Sequence, residues 1–315
     1  MTQDKYAVVI VTYSREKLLR ECIRQVEAQT VPADKIVIVN NASADGTAAY
    51  LSRLTVTGKY HIINCTENIG GAGGFAKGLL QAVTYDVDCI LFIDDDAMLS
   101  PDYMKKLLQA RSCHPQYHAF AGSVITGGKI DTWHRRKLLQ PGLFLRNCQE
   151  SFYKKKAFGC DIASFCGMLV DKKIIMQIGI PHESYFIWND DVEYSLRIHR
   201  YSRFLVIPDA VLNHRTRLNE SAKHPRRYEW KDYYAIRNRI WMLMEHGSPL
   251  DRIVNFADLF LRVVLRNRLF SVLRINGYDW KYENDMAKKA LRDAGRMSEK
   301  PWQIVKQDKY PDVGV

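Results

Sequence analysis

The segment Cys89-Ile90-Leu91-Phe92-Ile93-Asp94-Asp95-Asp96-Ala97 constrains this chain more than any other. Its apolar run is unbroken, as in a strand buried on both faces, and it ends abruptly in three carboxylates. Adjacent carboxylates repel one another, so a cation is the natural way to keep all three ionised. In an extended backbone alternate side chains share a face, which predicts Asp94 and Asp96 on one side and Asp95 on the other. Hard oxygen ligands suit magnesium or manganese, which complete their shell with water and diphosphate. The stretch reads as a metal–diphosphate site beyond the end of a central strand, against the simpler reading of an acidic strand-to-loop turn.

A chain of 315 residues, 47% of them hydrophobic, can bury one large domain or a medium domain with an appendage. Its formal net charge of +11 calls for an anionic partner such as a nucleotide, a nucleic acid, a polyanionic glycan or an anionic membrane. The seven cysteines, at 22, 65, 89, 113, 148, 160 and 166, form no CxxC pair and no regular framework. A reducing cytoplasm fits that usage. The N-terminus, Met1 to Lys5, lacks the charged and apolar regions of a signal peptide, and no apolar stretch reaches the roughly 20 residues of a membrane span. Attachment to a membrane is therefore expected to be peripheral.

Tyr6 to Tyr13 and Lys35 to Asn41 read as further buried strands, and Lys17 to Gln29 as a helix capped by Ser14, with Leu18, Leu19, Cys22, Ile23 and Val26 at helical spacing. Strand, helix, strand, helix opens a parallel α/β sheet. After a short strand at His61 to Asn64 comes Asn68-Ile69-Gly70-Gly71-Ala72-Gly73-Gly74-Phe75-Ala76-Lys77-Gly78. As a loop, its glycines would aim backbone amides at phosphate oxygens, with Lys77 as counter-charge. The spacing matches neither GxGxxG nor a P-loop. Ser100-Pro101-Asp102 opens a helix with proline at its first position. Trp133 to Lys137 and Tyr153 to Lys156 are basic clusters with aromatics, read first as solvated loops or edge strands.

A second acidic stretch, Trp188-Asn189-Asp190-Asp191-Val192-Glu193, suits a helix start in which Asn189 or Asp190 caps and acids favour the dipole. A carboxylate beside aromatic groups also suits proton abstraction from a hydroxyl. His214 follows a short strand at Phe204 to Ala210. A lone histidine is more often structural than a metal ligand. Residues 216–315 turn helical and carry 20 Lys and Arg against 13 Asp and Glu, or +7 of the total. Within them Leu259 to Arg274 places Arg262 and Arg266 a turn apart among apolar residues, as in an interfacial helix or a helix packed with its basic face outward.

Taken together, Val9 to Tyr13, Val39 to Thr47, the glycine segment, Asp94-Asp95-Asp96, Trp188 to Glu193 and His214 resemble a family 2 inverting glycosyltransferase of A-type fold. The likeness covers about the first 215 residues and reaches into the tail through Tyr233-Tyr234-Ala235-Ile236-Arg237-Asn238. The glycine segment and acid triplet most resemble bacterial galactofuranosyltransferases, with rhamnosyltransferases next. The resemblance implies an α/β, Rossmann-like, mostly parallel mixed sheet over 1–215 and a C-terminal helical extension over 216–315 that meets a membrane or another copy.

It also implies roles. Thr12 and Asn40 would line the nucleobase pocket, although many relatives carry Asp where Asn40 stands. Asn68, Gly70, Gly71, Gly74, Phe75, Lys77 and Asp95 would complete the nucleotide-sugar site. Asp94, Asp96 and His214 would hold Mn2+ or Mg2+ with ribose and diphosphate. Asp191 would be the base and Asp190 its rival, while Trp188, Asn189 and Glu193 would face the sugar and acceptor. The implied partners are a nucleotide-sugar donor, a glycan acceptor on a lipid carrier and an anionic membrane surface met by the tail and by Arg135 to Lys137, on the inner face of the cell membrane, with no nucleic acid and a homo-oligomer allowed. Nucleotidyl transfer and a basic RNA-binding domain are the competing readings. The first would release pyrophosphate, and the second leaves the acidic motifs unexplained.

Overall fold

Continuous apolar sequence makes a strand that can be buried only if both of its faces are covered, and this chain covers both. The structure is a computed structural model that describes residues 4–54, 58–216, 229–265, 268–269, 272 and 280–296. Strands β1 (Tyr6–Thr12), β2 (Lys35–Asn40), β3 (Tyr60–Asn64) and β4 (Cys89–Asp94) run parallel in the order β3-β2-β1-β4. On one face Val8, Ile10, Leu91 and Ile93 pack on Leu19, Cys22, Ile23 and Val26 of α1 (Glu16–Glu27). On the other, Val9, Val11, Ile90 and Phe92 pack on Phe75 and Leu79. A short α2 (Thr47–Leu51) links β2 to β3.

The glycine segment is not a loop. It is the start of α3 (Gly70–Ala82), and its glycines are there for contact with the sheet. A Cβ on Gly74 would lie 2.5 Å from Val11 Cγ1, and one on Gly78 2.4 Å from Val9 Cγ1. Glycine costs helix stability, but here it lets the helix axis approach β1 more closely than any side chain would allow. The Ser14 cap is also corrected: α1 starts after Arg15 with no side-chain cap, and Ser14 Oγ instead accepts from Ala44 N across the loops.

Beyond β4 the sheet turns mixed. β5 (Ala97–Leu99) leads into α4 (Tyr103–Cys113), whose flanking cap position is Asp102, so Pro101 falls just outside the helix. Then follow β6 (Ala119–Thr126), β7 (Lys129–Ile130), β8 (Arg135–Leu139), β9 (Phe144–Asn147), β10 (Phe158–Cys160), β11 (Ile162–Ala163) and β12 (Met168–Asp171). β12 runs antiparallel between β4 and β6, while β11, β8 and β9 form a separate antiparallel sheet. α5 (Lys172–Ile178) and α6 (Asp190–His199) precede β13 (Phe204–His214), which continues past Pro208 through a register shift between Ile207 and Val211. His214 thus ends a strand of 11 residues that pairs with both β6 and β5.

The basic cluster at 135–137 is not a solvated surface. Arg135 is fully buried and donates to the carbonyls of Gly122, His134 and Cys166. Arg136 is buried beneath Trp133, and Lys137 donates to Gly159 O. Anionic headgroups therefore have no access to the two arginines. In the tail, α7 (Trp230–His246), α8 (Pro249–Leu259) and α9 (Trp280–Ala294) are described. α8 continues into a wider helical turn at Phe260–Leu265. Arg262 sits on that turn, and its side chain, with Arg266 and Arg274, lies outside the described residues. Among the described residues no helix is long and apolar enough to cross a membrane.

The close approach of α3 to β1 is open to a direct test. Gly74→Val forces atoms into space held by Val11 and should lower stability by about 1–3 kcal/mol in urea unfolding. An unchanged midpoint would show that the helix can move away freely.

Candidate active site

Parallel strands deliver side chains to the crevice at their carboxyl ends, and here three adjacent strands deliver polar ones. Thr12 ends β1 opposite Asn40 of β2, and Val11 lies opposite Asp94 of β4. Thr12 Oγ1 donates to Asp95 Oδ2 at 2.7 Å. Arg15, which sequence reasoning passed over, reaches from the loop after β1 to Asp95 Oδ1 at 3.1 Å and Asp96 Oδ2 at 2.6 Å. Asp96 Oδ1 lies 3.2 Å from His214 Nε2. Asp94, His214 and Cys166 each place one donor atom within 4.8 Å of the others. Asp94 and Asp96 meet at His214 and Asp95 turns to Thr12, but not by strand alternation: β4 ends at Asp94, Asp95 and Asp96 lie in the turn after it, and Arg15 bridges the two.

The acids strain against one another. Burial, reinforced by the Asp96 charge, pushes the Asp94 carboxyl up to about 7. Burial pushes Asp95 up to about 6 despite the opposing Arg15 and Thr12. Burial also works against Asp96, but His214 and Arg15 outweigh it and hold that carboxyl below its ordinary value. Asp96 Oδ1 and His214 Nδ1 are buried without a hydrogen-bond partner. Orphaned buried polar atoms of this kind are costly and mark a place where a ligand belongs. Two carboxylates and an imidazole fit a divalent cation. Cys166 adds little to that set, since burial pushes its thiol well above its ordinary value.

The second acidic motif comes to the same crevice. Asn189 precedes α6 in a left-handed conformation, and Asp190 and Asp191 open its first turn. Asp190 opens partly to the crevice, yet burial, the Asp191 charge and the Asp94 charge together push its carboxyl well above the ordinary value. The two patches are neighbours: the His134 ring lies 5.2 Å from that of His214, and Arg136, two residues on, reaches Asp191. Asp191 has its Oδ2 3.8 Å from the Arg136 guanidinium, with its side chain 21% exposed. Arg136 was assigned to solvent in the sequence; the chain brings it beneath the acid pair because β8 pairs with β11, which packs against α6.

The remaining candidates divide. Asn40 donates to Asn64 Oδ1 and accepts from Ser43 N, and Asn68 Oδ1 accepts from both Asn41 Nδ2 and Gly70 N. Gly70, at φ 75°, packs so closely on the second motif that a Cβ would lie 2.0 Å from Phe186 O. The amides of Ile69, Gly70 and Ala72 are taken by Asn41, Asn68 and Phe186, which corrects the picture of a loop with free amides. Gly71 has open space beside it. Gly74 is packing, and Phe75 packs at a tilt in a buried ring cluster with Phe92 and Phe165, so neither faces a ligand. Lys77 lies near Cys65, after β3, where its charge offsets part of the effect of burial on that thiol. Trp188 is half-buried beside the acid pair, while Asn189 Nδ2 turns away to Ala235 O. Glu193 is fully buried, salt-bridged to Arg197 at 2.7 Å, and cannot touch an acceptor. It lies two positions, roughly 200° of helix, beyond Asp191, which turns it into the protein, and the motif alone concealed this.

A Rossmann-like sheet with two converging acidic motifs at its carboxyl edge defines a glycosyltransferase of A-type fold. The chain belongs to glycosyl transferase family 2, whose profile matches residues 7–179. It is 30% identical over 206 residues to galactofuranosyltransferase GlfT1 of Mycobacterium tuberculosis, covering 64% of this chain and 66% of that one, just under two thirds of the relative's length. It is 26% identical over 260 residues to the dTDP-rhamnosyl transferase RfbF of Shigella flexneri, covering 79% and 83%. Among solved structures it resembles S. aureus TarS 1–349 in complex with UDP-GlcNAc, with a TM-score of 0.57, 17% identity and coverage of 92% and 80%. GalNAc-T7 with UDP, GalNAc and Mn2+ gives 0.58 at 12% identity, covering 85% and 58%. These structures share the fold.

The raised carboxyls make stability depend on pH in a defined direction. Asp94 and Asp95 bind protons more tightly folded than unfolded, so the folded state loses stability as pH rises through 6 to 7. Without divalent metal the melting temperature should rise from pH 8 to pH 6, and Mn2+ should raise it more at pH 8. Asp94→Asn should flatten both slopes in scanning calorimetry, and an unaltered pH profile would contradict the electrostatics described here.

Proposed function

We propose that this chain transfers galactofuranose from UDP-galactofuranose to a hydroxyl of a lipid-linked surface polysaccharide, such as an O-antigen or capsule, with inversion at the anomeric carbon. The observation that carries the reading is the convergence of the strand-end acids and the Asp190–Asp191 pair, joined by His134 beside His214 and Arg136 beside Asp191. The mycobacterial relative named a galactofuranosyltransferase supports the sugar. The UDP in the solved neighbours TarS and GalNAc-T7 supports a nucleotide-sugar donor.

In this reading Thr12 and Asn40 border the base and ribose. Asp94, Asp96 and His214 would hold Mn2+ or Mg2+, which would supply positive charge beside the diphosphate. Asp191 takes the proton of the acceptor hydroxyl as that oxygen bonds to the anomeric carbon and the bond to the diphosphate breaks. One displacement of this kind inverts the centre. The Arg136 guanidinium gives Asp191 a compensating charge before the proton arrives. Asp190, with its raised proton affinity, faces the donor side beside Asp94. Trp188 offers its ring to the sugar.

The acceptor side falls to the helices after residue 216. Leu250, Ile253, Phe256, Phe260 and Leu261 are exposed at helical spacing along α8 and the turn that follows it. A membrane surface carrying the lipid-linked acceptor would cover such a stripe. Ile253→Asp should reduce co-sedimentation with anionic liposomes at low salt severalfold, and equal sedimentation of both forms would remove the membrane from the reading.

A rhamnosyl donor is the second reading, favoured by the greater coverage of RfbF. Metal-dependent hydrolysis of UDP-galactofuranose and dTDP-rhamnose, measured side by side, separates the two. Asp191→Asn should lower turnover by about 10²–10⁴-fold while leaving donor affinity within a few fold. Loss in Asp190→Asn with near-normal turnover in Asp191→Asn would move the base to Asp190.

A further inference from the structure

A second group of ionisable side chains lies away from the crevice, where α6, α7 and the segment before α6 meet. His182 is 4% exposed, and its Nε2 lies 3.3 Å from Glu245 Oε2 and 3.6 Å from Glu193 Oε1. All three donor atoms fall within 4.8 Å of one another. Neither His182 Nε2 nor Glu245 Oε2 has a hydrogen-bond partner, and the buried Tyr185 Oη close by has none either. Three orphaned polar atoms in one buried spot are not what a plain ion-pair network leaves behind.

We propose that His182, Glu193 and Glu245 form a second, buried site for a divalent metal of the zinc type, separate from the cation site at Asp94, Asp96 and His214. The spacing supports it. A tetrahedral zinc with bonds of about 2.0–2.1 Å to nitrogen and oxygen separates its ligand atoms by roughly 3.3–3.4 Å, close to the 3.3 and 3.6 Å from His182 Nε2 to Glu245 Oε2 and Glu193 Oε1. The His182 contacts, at 3.6 Å to Glu193 and 3.3 Å to Glu245, make no hydrogen bond, but they suit atoms that share an ion.

The surroundings are those of a ligand shell. Arg197 holds Glu193 Oε2 at 2.7 Å, which fixes the direction of the carboxylate and turns Oε1 toward His182. Burial opposes ionisation of Glu193, yet Arg197 and His246 outweigh it and bring that carboxyl down to about 2. His246 is a support and not a ligand. Arg200 donates to its Nδ1 at 2.9 Å, so its Nε2 carries the hydrogen and donates to Glu193 Oε1, also at 2.9 Å. Outer partners of this kind orient metal-bound carboxylates. Two carboxylates against one arginine in a buried place leave negative charge that a divalent ion would balance. The ion would tie α6, which carries Asp190 and Asp191, to α7 and to the segment before α6.

Metal content decides the matter. The full chain carrying Asp96→Ala and His214→Ala should retain about one zinc per chain by elemental analysis after exposure to Zn2+ and removal of the free ion. Adding Glu245→Gln should lower this at least tenfold. Glu245 is the variant of choice because its side chain is 14% exposed; His182→Gln is the second, and circular dichroism checks that each remains folded. Cobalt in place of zinc should give the visible absorption of a four-coordinate site in the first protein and lose it in the second. Absence of zinc from the folded Asp96→Ala, His214→Ala protein, or equal zinc with and without Glu245→Gln, would overturn the proposal.

Discussion

Three carboxylates at the end of one buried strand set the terms for everything around them. The sheet cannot place Asp94, Asp95 and Asp96 together without positive charge or a hydrogen donor for each. Arg15, Thr12 and His214 supply part of it from β1, its following loop and β13. What they leave over is visible as raised proton affinity at Asp94 and as an orphaned oxygen on Asp96. A cation and a diphosphate ligand together would discharge that imbalance, because the metal neutralises the acids and the ligand completes the metal's shell. The preorganised acids thus sit at higher energy alone than with their ligand, which is how binding energy becomes available for catalysis.

How the glycine segment serves the site follows from the same geometry. Its pattern invited a phosphate-binding loop, because glycine and phosphate so often go together. In the chain the glycines allow two other approaches: α3 onto β1, and the Phe186 backbone onto Gly70. Phe186, Trp188 and Asn189 all have positive φ, a strained state for residues with side chains. Asn238 of α7 holds that strain in place by donating to the carbonyls of Tyr185, Ile187 and Trp188. Phe186 also stacks on Tyr234 at 5.0 Å. The helical tail therefore shapes the segment that presents Asp190 and Asp191.

The sheet and the acidic strand end were legible because their signals are local. A continuous apolar run needs two covered faces, and the acids that follow it mark the place where the strand ends and turns, here at Asp94. Helix α1 was legible by spacing, although its cap was not, since Ser14 is drawn to Ala44 by a loop contact that no local rule contains. What escaped was set by long-range pairing. Arg135 and Arg136 look like surface charge until β8 pairs with β11 and turns them inward. Arg15 looks like any exposed helix-start arginine until Asp95 and Asp96 arrive from 80 and 81 residues away. Glu193 looked like part of an acidic motif, but roughly 200° of helix separates it from Asp191 and brings it onto the face that packs on α7.

That separation gives α6 two roles. Its first turn carries the acids of the crevice, and its buried side carries Glu193 into contact with Arg197, His246, His182 and Glu245. A helix whose open end must keep Asp190 close to Asp94 against their mutual repulsion needs an anchor on its other face. The Arg197 bidentate contact supplies part of that anchor, since both its Nε and one terminal nitrogen reach Glu193 Oε2. α7 supplies the rest from two positions: Asn238 grips the segment before the helix, and His246 grips the helix itself. The repulsion at the crevice and the buried pairs behind it are thus two sides of one arrangement, in which the tail holds the acid pair where the sheet alone would let it withdraw.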